Sequence, residues 1–404
     1  MSTRSAVLVL PSGAHGQQGP VAALVSTAGW ATGARRVLGA SWIVTPSGIV
    51  DPAAARRRGS APDLTSAGAP GWRRHLPTVA KTAAKDGRAL RRARRFRIDP
   101  AGPWTGTDVA FVWQRHELFH TAGLDLADRL GAPSVLFAPA TAVWESERWG
   151  VHRPGWGGAA ERWGEAPALG RADLVAAGSE AVAEQVVRLG ASPDRVLVVP
   201  TGVDLDLFPR DLDGGAARDR LGLGDRFVVG WAGSFRRFHA LDLAVDAVAR
   251  VPGAVLLLVG DGPERPAVED RARAAGVEVI TTGTVPHEEL PAVLAAFDVA
   301  LLQSPAAGTF HYSPLKVAEY LAAGRAVVAP DVGPLRDRLV AGEEIVLVPP
   351  GDVDALADAL AELREAPERR AALGAAGRRA AERRGSWDHQ VERIVARLAE
   401  LGQR

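Results

Sequence analysis

The sequence predicts an α/β protein of two doubly wound domains, each built on a parallel sheet. Three observations carry that reading. Short apolar runs alternate with amphipathic stretches at helical spacing along nearly the whole chain, the pattern of repeated strand–helix units. The alternation breaks once, over Pro200-Thr-Gly-Val-Asp-Leu-Asp-Leu-Phe208 and the polar run from Arg210 to Asp219, and then begins again. At 404 residues the chain is too long for one hydrophobic core, and two domains of roughly 200 residues are the natural division. The expected boundaries are 1–205, 206–385, and a terminal helix over 386–404 that packs back toward the first domain.

In order, residues 5–10 (Ser-Ala-Val-Leu-Val-Leu) form the first strand. The turn Pro11-Ser-Gly-Ala-His-Gly-Gln-Gln-Gly-Pro20 follows, and apolar spacing from Val21 to Trp30 predicts a helix. Gly13, Gly16 and Gly19 let backbone amides approach a phosphate or a sugar, with His15 among them; an ordinary strand-to-helix turn fits the same spacing. Residues 41–45 form the second strand, and residues 51–76, rich in Ala, Arg, Gly and Pro, predict a mobile surface loop. Strands at 109–113, 134–137, 174–177 and 196–199, with helices at 122–130 and 180–189, complete the first series. The second series has strands at 227–232, 254–259, 277–280, 299–302, 326–329 and 345–348. Helices at 241–250, 264–275, 288–296, 315–323 and 353–364 separate most of them. The tail from Ser386 to Leu401 places Trp387, Val391, Ile394, Val395, Leu398 and Leu401 on one helical side.

Composition narrows the class. Apolar residues make up 47% and charged residues 24%, as in soluble globular proteins. The absence of cysteine excludes disulfides, thiolate metal sites and cysteine nucleophiles. No apolar run approaches the roughly 20 residues of a membrane span, and the N-terminus reads as a strand, so a cytoplasmic protein is expected. Net charge is only +1, but the first hundred residues carry +12 and the remainder −11. From Arg73 to Arg97 there are ten basic residues and one acidic, with Leu76, Val79, Ala80, Ala83 and Leu90 at partly helical spacing. Such a helix can lie on the anionic inner face of a membrane; a solvated arginine face on a packing helix explains the same pattern. Nothing in this distribution points to nucleic acid.

The most informative stretch is Phe310-His311-Tyr312-Ser313-Pro314-Leu315-Lys316-Val317-Ala318-Glu319-Tyr320-Leu321-Ala322-Ala323-Gly324. It lies between two apolar runs and reads strand, loop, helix, strand. Ser313 suits an N-cap and Pro314 the first helical position. The amides of Leu315 and Lys316 would then face the crevice at the carboxyl edge of the sheet, ready for a phosphate. Glu319, three residues after Lys316 on nearly the same helical face, can accept hydrogen bonds from a sugar's hydroxyl pair. Together these residues describe a nucleotide pocket. Lys316 is also one of only three lysines in the chain.

With these residues in place, the chain resembles the retaining glycosyltransferases of family 4, which have the GT-B fold: two Rossmann-like domains facing across a cleft. Four patterns carry the resemblance: Gly233-Ser-Phe-Arg-Arg-Phe-His239, Val259-Gly-Asp-Gly-Pro-Glu264, Thr282-Gly-Thr-Val-Pro-His287, and Ser313-Pro-Leu-Lys316 continuing to Glu319 and Gly324. The Ser-Pro-Leu-Lys turn marks one branch of that family. Pro200-Thr-Gly-Val-Asp204 is similar to the family's interdomain turn, with Thr201 where Asn is usual. The resemblance implies that the C-terminal domain holds a nucleoside-diphosphate sugar. It implies donor contacts from Gly233, Ser234, Arg236, His239, Gly260, Gly262, Gly283, Val285, His311, Ser313, Pro314, Leu315, Lys316 and Glu319, with Arg236 or His239 supplying positive charge beside the diphosphate. Gly13, His15, Gly16, Glu117 and Glu145 fall on the acceptor side, and His116, Lys316 and Glu319 are the catalytic candidates. Three positions depart from the family pattern: His311 stands where a glutamate often contacts the donor sugar, and Ser234 and His239 where Arg and Lys are frequent.

The implied reaction is transfer to an acceptor hydroxyl with retention at the anomeric carbon, UDP being the commonest donor base in the family. The acceptor is expected to be a glycan, lipid-linked or small-molecule hydroxyl, in polysaccharide or glycoconjugate biosynthesis. No cofactor or metal is expected, because the Asp-x-Asp pairs at 204–206, 211–213 and 352–354 fall in linkers or turns. Two alternatives share the fold: a weakened or inactive subunit that binds nucleotide or a partner, and a nucleotide-sugar epimerase.

Overall fold

The computed structural model describes residues 3–12, 21–58, 77–148, 150–305 and 315–403. Among these residues the strands form two sheets. The first contains β1 (Arg4–Val9), β2 (Gly39–Thr45), β3 (Gly48–Val50), β4 (Asp108–Arg115), β5 (Ser134–Ala138), β6 (Leu174–Ala177) and β7 (Val196–Val198), in the order β3-β2-β1-β4-β5-β6-β7. The second contains β8 (Phe227–Ala232), β9 (Ala254–Val259), β10 (Glu278–Gly283), β11 (Val299–Leu301), β12 (Ala326–Pro330) and β13 (Val346–Val348), in the order β10-β9-β8-β11-β12-β13. Both sheets are parallel except for the β2–β3 hairpin. Because helices cover both faces, the central strands are continuous apolar runs; every residue of β8 and β9 is buried. Strand order reverses between β1 and β4 and between β8 and β11, which puts a ligand crevice at the carboxyl edge of each sheet.

Trp231, Leu256 and Val328 lie in the core on one face of the second sheet, and Phe297, Tyr320 and Val327 on the other. In the first domain, Leu8, Ile43, Trp113 and Phe137 pack with Trp30 of the helix Val21–Leu38. That core is completed by Trp387, Val391 and Ile394 from the terminal helix Trp387–Gly402. Trp387 fits because three glycines leave room: a Cβ at Gly29 or Gly202 would come within 2.2 or 2.8 Å of its indole, and one at Gly33 within 2.8 Å of its backbone carbonyl carbon. Backbone bonds tie this junction to the linker, Val203 N–H to Gly385 O at 2.8 Å and Trp387 N–H to Val203 O at 3.2 Å. Arg36 reaches across to Asp204 at 3.1 Å, Asp388 at 3.3 Å and Asp206. A second bridge joins the domains where Arg338 donates to Gly178 O at 3.1 Å.

Four local expectations change. The edge strand β3 turns back antiparallel after Ser47-Gly48, a three-residue strand too short to show periodicity. Residues Pro52–Arg58 are helical, not loop; the remainder of the stretch to 76 lies outside the described residues. The first helix continues past Trp30 to Leu38 because Ala31 and Ala34 keep its buried face, a weaker signal than larger side chains give. A helix at Pro367–Ala380 was not expected, since it buries only Leu373, Gly374, Gly377 and Ala380. It matters for the site, because Gly374 packs so closely on Gly324 that a Cβ would sit 2.1 Å from its carbonyl, bracing the helix Leu315–Ala322 from behind.

The basic stretch forms the helix Thr78–Arg95, but its buried residues are Thr82 and Asp86, while Val79, Ala80 and Ala83 are exposed. What seats it is an ion pair. Asp86 accepts from Arg153 Nε at 2.8 Å and Nη2 at 3.1 Å, and from Trp156 Nε1 at 3.0 Å. Leu76 lies outside the described residues.

Candidate functional site

Three loops leave the carboxyl ends of β8, β9 and β10 and are laced together by backbone bonds. Gly233 N–H donates to Val259 O at 2.8 Å, Gly260 N–H to Gly283 O at 2.9 Å, and Phe235 N–H to Asp261 O at 3.1 Å. Gly233 has φ 153°, Gly260 123° and Gly283 69°, all in the left-handed half of backbone space. A Cβ at Gly260 would lie 2.0 Å from Gly233 O, and one at Gly262 2.7 Å from the Phe235 backbone. Gly260 and Gly262 therefore serve first to let these loops touch. Val285 follows on the third loop, half-buried.

Into this edge projects the helix Leu315–Ala322, seated by Val317, Tyr320 and Leu321 in the core. The Tyr320 hydroxyl accepts from Ala232 N–H at 2.7 Å, which pins the helix to the end of β8, and burial pushes that phenol far up. Leu315 packs against the core of the first domain, so the helix start lies at the domain junction. The Lys316 ammonium is buried 4.2 Å from the centre of the Trp231 ring, and a Cβ on Gly233 would stand 2.9 Å from it. Burial lowers its pKa to about 7, with Glu319 opposing the shift. Glu319, one turn on and 6% exposed, accepts from His287 Nε2 at 2.9 Å. His287, Glu319 and Leu315 line a small, partly open cavity with Val203, Asp204 and Trp387 of the junction.

Of the expected donor residues, Gly233, Gly260, Gly262, Gly283, Val285, Leu315, Lys316 and Glu319 gather at this edge. His239 is beside them but differs in character: burial, with Lys316 and Arg236 nearby, lowers its pKa to about 2. Its ring is neutral and packs edge-on to Trp231 at 5.2 Å, so it supplies no cation; Arg236 and Ser234 are exposed. His311, Ser313 and Pro314 lie outside the described residues.

Across the junction, the β1/β4 edge carries the acceptor-side candidates. Glu117 accepts from Ser12 N–H at 3.2 Å, and burial pushes its carboxyl up against the opposing influence of Ser12, Arg115 and His116. Burial lowers the Arg115 pKa while Glu117 and Glu145 hold its charge. Glu145 lies on the short helix Ala142–Arg148. His116 is enclosed and not presented to the crevice. Its Nε2 meets Glu165 Oε1 at 3.0 Å, both side chains have no exposure, and Glu165 also accepts from Ala142 N–H at 2.6 Å. Gly13, His15 and Gly16 lie outside the described residues.

The sequence assigns no role to Trp231, His287, Arg115 or Glu165, although His287 closes one of the four patterns. Trp231 looked like one more strand residue, and Glu165 lies in a stretch without clear period. Members of each Asp-x-Asp pair have protein partners: Asp204 and Asp206 face Arg36, Asp213 accepts from Gly215 N–H at 2.9 Å, and Asp352 caps its helix through Ala355 N–H at 2.9 Å.

Comparison with known proteins agrees with this geometry. Residues 43–207 match the model described as Glycosyltransferase Family 4, and residues 226–366 the model described as Glycosyl transferases group 1. The chain is 36% identical over 257 residues to a D-inositol 3-phosphate glycosyltransferase of Xylanimonas cellulosilytica, covering 60% of each. It is 35% identical over 213 residues to a GDP-mannose-dependent alpha-(1-6)-phosphatidylinositol monomannoside mannosyltransferase of Mycolicibacterium smegmatis, covering 50% of this chain and 55% of the relative. The match thus spans little more than half the length of these curated relatives. Among solved structures, HepE of Anabaena in complex with UDP superposes with a TM-score of 0.66 at 17% identity over 98% of this chain and 100% of that one. Sucrose-phosphate synthase of Thermosynechococcus elongatus gives 0.65 at 20% identity over 99% and 98%. These two superpositions place the two-sheet architecture among GT-B structures.

Proposed function

We propose that this chain, which belongs with the group 1 and family 4 glycosyltransferases whose models match its two halves, moves a sugar from a nucleoside-diphosphate sugar to an acceptor hydroxyl with retention of configuration. The observation that carries the proposal is the meeting, at the β8/β11 reversal, of the Gly233 turn, the start of the helix Leu315–Ala322, the Lys316 ammonium and the Glu319 carboxylate. The diphosphate binds the Leu315 and Lys316 amides, with the Lys316 and Arg236 side chains as cations. Glu319 accepts from the ribose hydroxyls, and Gly283 and Val285 flank the base. As the sugar–phosphate bond breaks, charge grows on the diphosphate, where fixed amide dipoles and Lys316 stabilise it. A leaving phosphate oxygen on the acceptor's face takes the acceptor proton, so the route needs neither a dedicated protein base nor a metal.

The acceptor lies across the junction, against Arg115, Glu117 and Glu145. UDP is the donor base we favour, in keeping with the UDP complex of HepE; the mannosyltransferase relative makes GDP the comparison to run beside it. No helix among the described residues is long and apolar enough to cross a membrane. We propose peripheral contact with an anionic bilayer through the exposed face of Thr78–Arg95, where Lys85, Arg88, Arg91 and Arg95 face outward.

The test is a thermal-shift panel of UDP, GDP, ADP and TDP sugars, read with transfer to candidate acceptors. A ligand at a hundred times its Kd stabilises the folded state by about 2.7 kcal/mol. Glu319→Ala is expected to weaken the stabilising nucleotide by about tenfold or more. No shift with any nucleotide at millimolar concentration removes the reading, and a nucleotide shift with neither transfer nor release of free sugar favours an inactive binding subunit. Co-sedimentation with phosphatidylglycerol vesicles tests the membrane contact, which salt-insensitive or absent binding would eliminate.

A further inference from the structure

The side chain that meets Glu319 comes from outside the helix that carries it. His287 stands at the end of the loop after β10, and its Nε2 lies 2.9 Å from Glu319 Oε1. An ionised carboxylate only accepts, so Nε2 carries a proton and donates it. Nδ1 is buried with no hydrogen-bond partner among the described residues, which leaves Glu319 as the ring's one polar anchor. Among the described residues, the loop after β10 and the helix Leu315–Ala322 therefore meet through a single hydrogen bond.

We propose that His287 is a positioning residue for the donor: its N–H holds Glu319 by Oε1 and leaves the second carboxylate oxygen oriented to receive the ribose diol. The proposal rests on the reading of Glu319 as the ribose acceptor. A glutamate side chain has three rotatable bonds, and a carboxylate free to turn must lose that freedom when the nucleotide binds. Here Glu319 is 6% exposed and braced before any ligand arrives, so that cost has already been met. The bond also ties ribose recognition to base recognition, because His287 shares its loop with Gly283 and Val285. A histidine that merely satisfied a buried carboxylate would matter for folding but would not distinguish one nucleotide sugar moiety from another.

The experiment is calorimetric titration of the full chain with UDP and GDP, each beside its 2′,3′-dideoxy counterpart. The native protein is expected to prefer the ribonucleotide by about tenfold or more, and Glu319→Ala to abolish the preference. His287→Leu fills the space without a donor, and is expected to lose most of the preference while dideoxy affinity stays within about twofold. His287→Gln, which keeps an N–H, is expected to recover part of it. If Glu319→Ala keeps the preference, the ribose reading itself is wrong. If Glu319→Ala loses it while His287→Leu keeps it, or if His287→Leu weakens both forms equally, His287 does not position Glu319.

Discussion

The Lys316 ammonium lies 4.2 Å from the centre of the Trp231 ring, buried and with no hydrogen-bond partner among the described residues. A cation over an indole face is attracted by the ring's quadrupole, yet that attraction replaces only part of the lost hydration. The protein therefore holds an acceptor-starved cation at the end of β8, where the proposed diphosphate would come.

Stability should record that cost. The folded pKa of Lys316 is about 7 against an ordinary 10.5, so the folded state holds fewer protons than the unfolded state between those values. The penalty is full below pH 7 and fades as pH rises toward 10.5. Lys316→Met should accordingly raise Tm at pH 6, by on the order of a few kcal/mol in stability at about 1.4 kcal/mol per pKa unit. That gain should shrink steadily by pH 10. Thermal melts across this range check it; a gain that does not change with pH would contradict the buried-amine account.

Donor affinity should have the complementary dependence. A diphosphate beside Lys316 favours the charged amine, so binding takes up a proton above pH 7 and weakens as pH rises further. Nucleotide sugars suit the measurement because their diphosphate diester does not titrate near neutrality. Calorimetry of UDP-glucose and GDP-mannose from pH 6 to 9, in buffers of different ionisation enthalpy, should show proton uptake that Lys316→Gln removes.

Trp387 holds the terminal helix in the first domain's core, against Trp30 at 5.2 Å and the grooves of Gly29, Gly33 and Gly202. Trp387→Ala should cost about 3–5 kcal/mol, as large-to-small core changes do. Gly29→Ala should also destabilise, because its Cβ would meet the indole at 2.2 Å. Denaturant melts measure both; the glycine variant is the sharper test, since it removes no contact.

The enclosed His116–Glu165 pair makes a different prediction from a catalytic histidine. Glu165 is fully buried and also accepts from Ala142 N–H, so Glu165→Ala should cost about 3–5 kcal/mol by stranding its partners. His116→Gln, which keeps a donor, should retain much of the stability. Chemical denaturation measures both. If His116→Gln folds well and leaves donor hydrolysis intact, its part is structural; a loss of turnover without loss of stability would return it to the reaction.

What the sequence by itself determined is whatever repeats over a few residues. The run 227–232 and the strand β8 coincide, as do 254–259 and β9, because a strand buried on both faces must be apolar along its length. The Lys316–Glu319 spacing was readable for the same reason, being one turn of one helix. Tertiary structure decided which distant residues meet. His287 reaches Glu319 over 32 positions, His116 reaches Glu165 over 49, and Arg36 reaches Asp204 over 168. Gly260 and Gly262 looked like ligand glycines, yet their first requirement is the approach of neighbouring loops. His239 looked like a cation and is neutral, because desolvation depends on what surrounds a ring and not on its neighbours in sequence. Local periodicity follows from backbone geometry alone. Partners, burial and charge state follow from the order in which crossovers lay strands side by side, and no short window of sequence contains that order.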